Sequence, residues 1–423
     1  MCSIRPLNYD SLKKVIQWID PNLRFTLSQR LQSIQAAERG TPLQLKNLFL
    51  GPNEITVNDT VYSLKLIVTG EDAEQMMRND PEGFPHDLTK SGVRDYSSEG
   101  IMTPGDIKIV GEDTEKHKNV VKEHIKNDMR NFEANLDNLD DYDCEYFMKF
   151  TISNDSEVQR IEYLKTDKKL YEAMKFLTTK LLGKRCTVGV DNLKIFEEED
   201  CILRLPQDLN IATQSVVLGH NSSEVFNSIA PIIDKKSFPL QTVFIKGMRI
   251  HGDMEKYSHP LIKSAVEVCF DEFTSRESEA FNWVEAISSM ENKTIHFGCT
   301  FEFTNEDYMR VINDLVKNRR PLGTHLMFDS HEEDQVEDVF YDIADRDECD
   351  YLKLENVVYS AFDYCIILPM DNSKKLKVYV NNDFFDCNGG YTLNFLVIDN
   401  EEFDRLEVED QKIRDRRADY DAQ

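Results

Sequence analysis

The chain has 423 residues, 40% hydrophobic and 10% aromatic, which allows two or three domains with sizeable cores and excludes a disordered chain of low hydrophobicity. A formal net charge of −27 repels polyphosphate and anionic lipid, so nucleic acid and membrane surfaces are not expected partners. The charge is uneven: residues 1–69 hold eight Lys and Arg against five Asp and Glu, a net of +3, and the remainder carries −30.

Nine cysteines are scattered with no CxxC pair and no histidine at metal-ligand spacing, so neither a zinc site nor a disulfide framework is indicated. That usage suits a reducing compartment, cytoplasmic or nuclear. The start Met1-Cys-Ser-Ile-Arg-Pro6 lacks the charged-then-apolar pattern of a secretory leader. No run approaches the roughly 18 apolar residues of a membrane span.

Over residues 9–19, Leu12, Val15, Ile16 and Ile19 form the apolar stripe of an amphipathic helix that Asp20-Pro21 stops. Leu23, Leu27, Leu31 and Ile34 predict a second helix ending near Gly40-Thr41-Pro42, which gives a helical hairpin. From Leu43 to Val68 the pattern changes to period two, with Gly51-Pro52-Asn53 as a turn, and predicts two or three strands. Residues 70–145 are rich in Asp, Glu, Lys, Gly and Pro and read as a flexible insertion or linker with one charged helix near 113–130.

Structure is expected to resume at Tyr146–Phe150. A helix over 167–182 carrying Leu170, Met174, Leu177 and Leu181 follows, then a strand near Cys186–Val190. A strand–helix–strand pattern then occurs twice. Its first copy is Ser215–Leu218, helix 222–236 and Pro239–Ile245; its second is Thr294–Phe297, helix 305–318 and Pro321–Phe328. Repeated units of this kind bury their apolar faces against neighbours and present a broad binding face. Strands at Ala361–Leu368, Leu376–Val380 and Tyr391–Ile398 close the fold, and the charged tail from Asn400 is expected to be frayed.

Signs of catalysis are weak. The phosphate-binding patterns GxxxxGK[ST] and GxGxxG are absent, as are a GxSxG elbow and an HExxH helix. His117 and His124 stand two helical turns apart, too far to share one metal. His251 with Asp253, and His296 with Cys299, are conceivable acid–base or nucleophile pairs, but strand positions three apart face opposite sides. No cofactor and no catalytic residue are implied.

The segment Leu7-Asn-Tyr-Asp-Ser-Leu-Lys-Lys-Val-Ile-Gln-Trp-Ile-Asp-Pro21 resembles the opening of an F-box, with Leu7, Asp10, Leu12, Val15, Ile16, Trp18, Ile19, Asp20 and Pro21 in register. It departs at Asn8, where the family has proline, and at Ser11, where it has leucine. A tryptophan-bearing third helix is not evident after Ile34. More widely, the chain is similar to a nematode family of F-box-associated proteins. That similarity runs through Arg24–Arg30, Pro42–Leu45, Ile232–Leu240 and Asn318–Thr324. The resemblance implies a noncatalytic substrate receptor. An F-box-like helical module would dock a Skp-type adaptor of a cullin ubiquitin ligase, and the body would hold a target protein.

The expected fold is thus α+β or α/β: an F-box-like helical hairpin (1–42), a strand segment (43–69), an insertion (70–145), a mixed strand–helix layered or solenoid-like protein-binding body (146–399) and a charged tail (400–423). Adaptor-binding candidates are Leu7, Leu12, Val15, Ile16, Trp18, Ile19, Pro21 and Leu23. The alternative function is an acidic stoichiometric inhibitor or antidote-like binder of a basic protein, acting without a ligase.

Overall fold

The computed structural model describes residues 8–70, 82–89, 94–95, 97, 100–110, 144–154, 157–165, 167–196, 200–219, 222–249, 259–274, 283–298, 303–318, 320–330, 333–346, 349–353, 364–371, 373–383 and 390–421. The chain divides into two compact units, Met1–Ser237 and Phe238–Gln423. The division falls inside the stretch 146–399 that the sequence presents as one body. Each unit is mixed α and β.

The first unit opens with three short helices, α1 (Tyr9–Gln17), α2 (Pro21–Arg30) and α3 (Gln32–Arg39), where the sequence predicts a two-helix hairpin. The difference lies at Leu31, whose extended backbone (φ −118°, ψ 90°) interrupts the second helix. Strands β1 (Leu43–Leu50), β2 (Glu54–Val57) and β3 (Thr60–Gly70) form the meander expected from the alternation. Then come β4 (Ile107–Ile109), β5 (Cys144–Asn154), β6 (Glu157–Leu164), α4 (Leu170–Leu181), β7 (Val188–Ile195), β8 (Cys201–Leu203), β9 (Ile211–Leu218) and α5 (Ser222–Ile229).

Its sheet runs in the order β9-β7-β1-β2-β3-β5-β6. β9, β7 and β1 are parallel, with Leu45 opposite Val190 and Val190 opposite Thr213, and the rest is antiparallel. The parallel strands bury Leu43, Leu45, Leu48 and Leu50 of β1, Val188, Val190, Leu193 and Ile195 of β7, and Ile211, Val216 and Leu218 of β9, with polar residues such as Gln44, Lys46, Asp191 and Lys194 between them. α5 is shorter than predicted because Pro231 cannot continue an α-helix, and 3₁₀ turns follow it.

Part of the stretch 70–145 is packed rather than a free linker. Leu88 is buried against Val68, and β4 pairs with β8 through Ile107 and Leu203. The Asp106 carboxylate is fully enclosed between Lys175 Nζ at 2.8 Å and Arg204 Nη1 at 3.0 Å. Gly105, at φ +91°, permits the turn before β4, where a Cβ would sit 2.5 Å from the Gln207 backbone. The helix predicted near 113–130 lies outside the described residues.

The second unit contains β10 (Thr242–Arg249), α6 (Pro260–Ser264), β11 (Glu267–Thr274), α7 (Trp283–Ser289), β12 (Thr294–Phe297), α8 (Asn305–Asn318), β13 (His325–Ser330), α9 (Glu333–Ala344), β14 (Asp350–Lys353), β15 (Tyr364–Pro369), β16 (Lys374–Asp383), β17 (Gly390–Asp399) and α10 (Asn400–Asp421). Its sheet order is β14-β15-β16-β17-β13-β12-β11-β10. β10 to β13 are parallel and β13 to β14 antiparallel through β17, β16 and β15.

The second copy of the sequence repeat is the parallel unit β12-α8-β13. The first copy is β9, α5 and β10, whose strands belong to different units. These strands lie in hydrogen-bonded sheets and not in the stacked coils of a solenoid. A row of rings, Phe270, Phe297, Phe328 and Phe395, crosses four adjacent strands at centroid spacings of 5.3, 5.1 and 5.4 Å. Phe303 and Tyr308 pack edgewise on Phe328.

The tail from Asn400 is a helix, not a frayed end. Phe403 and Leu406 of α10 are buried against Leu352, Cys365, Ile367 and Ile398. One turn on, the buried Asp410 accepts from the Lys353 backbone at 2.9 Å and from Arg414 at 2.6 Å. Among the described residues no helix is long and apolar enough to cross a membrane.

Candidate protein-docking surface

Local chemistry shapes the N-terminal helices. Asn8 caps α1 by accepting from Ser11 N at 2.8 Å, so the residue that departs from the F-box pattern serves the helix directly. Asp20 caps α2, accepting from Asn22 N and Leu23 N at 2.9 and 3.1 Å, and Pro21 takes the first helical position, where no N–H is needed. Asn22 then ties α2 to the sheet: its Nδ2 donates to Val57 O at 3.2 Å and its Oδ1 accepts from Tyr62 Oη at 2.8 Å. Burial first, and Asp20 second, push the Tyr62 hydroxyl pKa upward, which keeps it a donor.

A buried ionic cluster joins the helices to the rest of the unit. Arg24, Glu38 and Arg185 are all buried. Arg185 Nη2 donates to both Glu38 carboxylate oxygens at 2.7 and 2.8 Å, and Arg24 Nη2 lies 3.2 Å from Oε1. Backbone carbonyls take further guanidinium protons: Pro42 O and Thr41 O from Arg24, Leu181 O from Arg185. Burial lowers the Arg24 pKa, Glu38 opposes that shift and Arg185 adds to it. An arginine remains charged at neutral pH despite such a shift.

The eight candidate residues separate clearly. Ile16 is 2% exposed and belongs to the core, so it is not available to a partner. Leu12, Ile19 and Pro21 are partly buried. Val15, near the end of α1, Trp18, its C-cap, and Leu23, in the first turn of α2, are 47%, 90% and 51% exposed. Leu7 lies outside the described residues. The side chains that α2 buries are Arg24 and Phe25, not the leucines of the predicted stripe.

Of the weaker catalytic pairs, His117, His124, His251, Asp253 and Cys299 lie outside the described residues. His296 is described, and its Nε2 meets Asp329 Oδ2 at 2.8 Å, while Thr392 Oγ1 donates to Asp329 Oδ1 at 2.6 Å. No sequence signal links these residues, which come from three strands. Among the described residues no group of three His, Cys, Asp or Glu could hold a metal ion.

The first unit also has a cavity of about 350 Å³ lined by His86, Asp87, Arg94, Tyr171, Cys201 and Arg204 among others. Two of these side chains serve the fold: Asp87 accepts from the first amide of α4 at 2.8 Å, and Arg204 binds Asp106 and stacks on Tyr171. The solvent-facing apolar residues at the α1–α2 corner, by contrast, are not used by internal packing.

No curated protein matches the chain. Residues 169–332, from the residue before α4 to just past β13 and less than half of the chain, match the family model described as a domain of unknown function, DUF3557.

Proposed function

We propose that the chain is a noncatalytic protein-binding adaptor, an F-box-type substrate receptor whose N-terminal helices dock a Skp-type adaptor of a cullin ubiquitin ligase. The observation that carries this reading is Trp18, 90% exposed between α1 and α2, with exposed Val15 three residues before it on α1 and exposed Leu23 in the first turn of α2. A tryptophan presents roughly 150–250 Å² of surface, and exposed Trp side chains are over-represented among the residues that dominate protein interfaces. The cluster of Arg24, Glu38 and Arg185 supports the same reading. It fixes the helices to the first unit, so that a docked partner would be held in one orientation relative to it.

The test is calorimetric binding of the full chain to a purified Skp-type adaptor, with Val15→Asp and Trp18→Ala variants. Binding by the wild type and its loss in both variants, with unchanged melting curves, would support the receptor. The acidic-inhibitor alternative predicts no adaptor binding and a basic target whose affinity collapses with added salt, because charge steering is screened.

A further inference from the structure

A second surface lies on α4. Between Lys165 and Arg185 the sequence carries seven Lys and Arg against two Asp and Glu, in a chain whose net charge is −27. Several of these cations serve the fold: Lys169 pairs with Asp95, Lys175 with Asp106 and Arg185 with Glu38. The inner face of α4 buries Leu170, Met174, Thr178 and Leu181. Its outer face carries Glu172, Phe176 and Lys180 at four-residue spacing, while Lys168 lies two residues before the helix and Lys184 three residues past its end.

At the centre of that stripe Phe176 is 55% exposed. The ammonium groups of Lys168 and Lys180 lie 5.0 and 5.1 Å from its ring centroid, within cation–π range. The loop bearing the exposed Ile101 and Met102 is drawn to the same helix, because Lys175 Nζ donates to Pro104 O and Asp106 Oδ1.

We propose that this face of α4 is a docking site for an acidic segment of a partner protein that presents one apolar anchor beside carboxylates. The anchor would pack on Phe176, and the carboxylates would meet Lys180 and Lys184. Charge complementarity selects this occupant. Nucleic acid and anionic bilayers are extended polyanions that the −27 chain repels as a whole, whereas a short acidic peptide meets only the local basic stripe. The site is separate from the α1–α2 corner, so it stands or falls independently of adaptor docking.

The experiment is fluorescence anisotropy on the full chain, using a labelled glutamate-rich peptide of about ten residues with one central leucine. Wild-type binding is expected to weaken about tenfold or more in Phe176→Ala, as for an aromatic interface anchor, and similarly in Lys180→Glu. Trp18→Ala should bind like the wild type. Both α4 side chains are substantially exposed, so melting curves should not move, and they serve as the folding control. Binding that is absent, or unchanged by both α4 substitutions, overturns the proposal. So does tighter, Phe176-dependent binding of a single-stranded oligonucleotide or of phosphatidylserine vesicles, which would assign the face to that polyanion instead.

Discussion

Arg185 donates to both oxygens of Glu38 across 147 positions of sequence, and Arg24 shares the same carboxylate. One buried carboxylate thus neutralises only one of two buried guanidinium groups, and backbone carbonyls must stabilise the other. Arg24 Nε has no hydrogen-bond partner, so the cluster tolerates no further loss of acceptors.

Glu38→Gln keeps the shape and removes the charge, leaving both guanidinium groups buried without a counterion. It is expected to cost about 3–5 kcal/mol, the usual penalty for breaking a buried ion pair from one side. Urea denaturation at neutral pH would measure this, and a change under about 1 kcal/mol would show that water reaches the cluster.

Ile16 and Trp18 should separate stability from binding. Ile16→Ala is expected to lose about 2–4 kcal/mol through its cavity, whereas Trp18→Ala should change stability by no more than about 0.5 kcal/mol. In a Trp283→Phe background, Trp18 should emit at a water-exposed wavelength, be quenched readily by acrylamide, and shift to the blue when the adaptor binds. A blue-shifted, unquenched Trp18 in the free chain would contradict its exposure.

Asp106 should give the first unit an acid-sensitive element. Burial alone would raise its pKa, but hydrogen bonds from Lys175, Thr103 and Arg204 together hold it below the usual 3.8. With the folded pKa depressed, its contribution is complete above the unfolded value and is lost as pH falls through the folded one. The stability difference between wild type and Asp106→Asn should therefore be constant near neutrality and shrink only below about pH 3.8. A difference that already fades at pH 6 would point to another group.

Phe403→Ala should destabilise the second unit by about 3–5 kcal/mol, as expected for a buried phenylalanine. Val408→Ala on the exposed side of α10 should be near neutral. Equal, small effects in thermal melts would mean that α10 is not packed in solution.

Period-two alternation from Leu43 to Val68 marked β1 to β3, and the four-residue stripe of Leu170, Met174 and Leu181 marked α4, because both patterns report a local backbone geometry with one buried face. The three closing strands were legible for the same reason. The stripe from Leu23 to Ile34 misled, since it presumes one continuous helix. The extended backbone at Leu31 ends α2 instead, and the residues α2 buries are Arg24 and Phe25, with Leu23 exposed.

α10 was hidden by composition. Its buried stripe is Phe403, Leu406 and a capped Asp410, too narrow to show against nine acidic residues in the helix. The sequence by itself determined β1 to β3, α4 and the three closing strands, because their residue patterns report backbone geometry within a few positions. Only the tertiary structure decided which side chains face outward at the α1–α2 corner, and which charges are buried together at Glu38. Burial depends on what packs against an element, and that partner can lie anywhere along the chain.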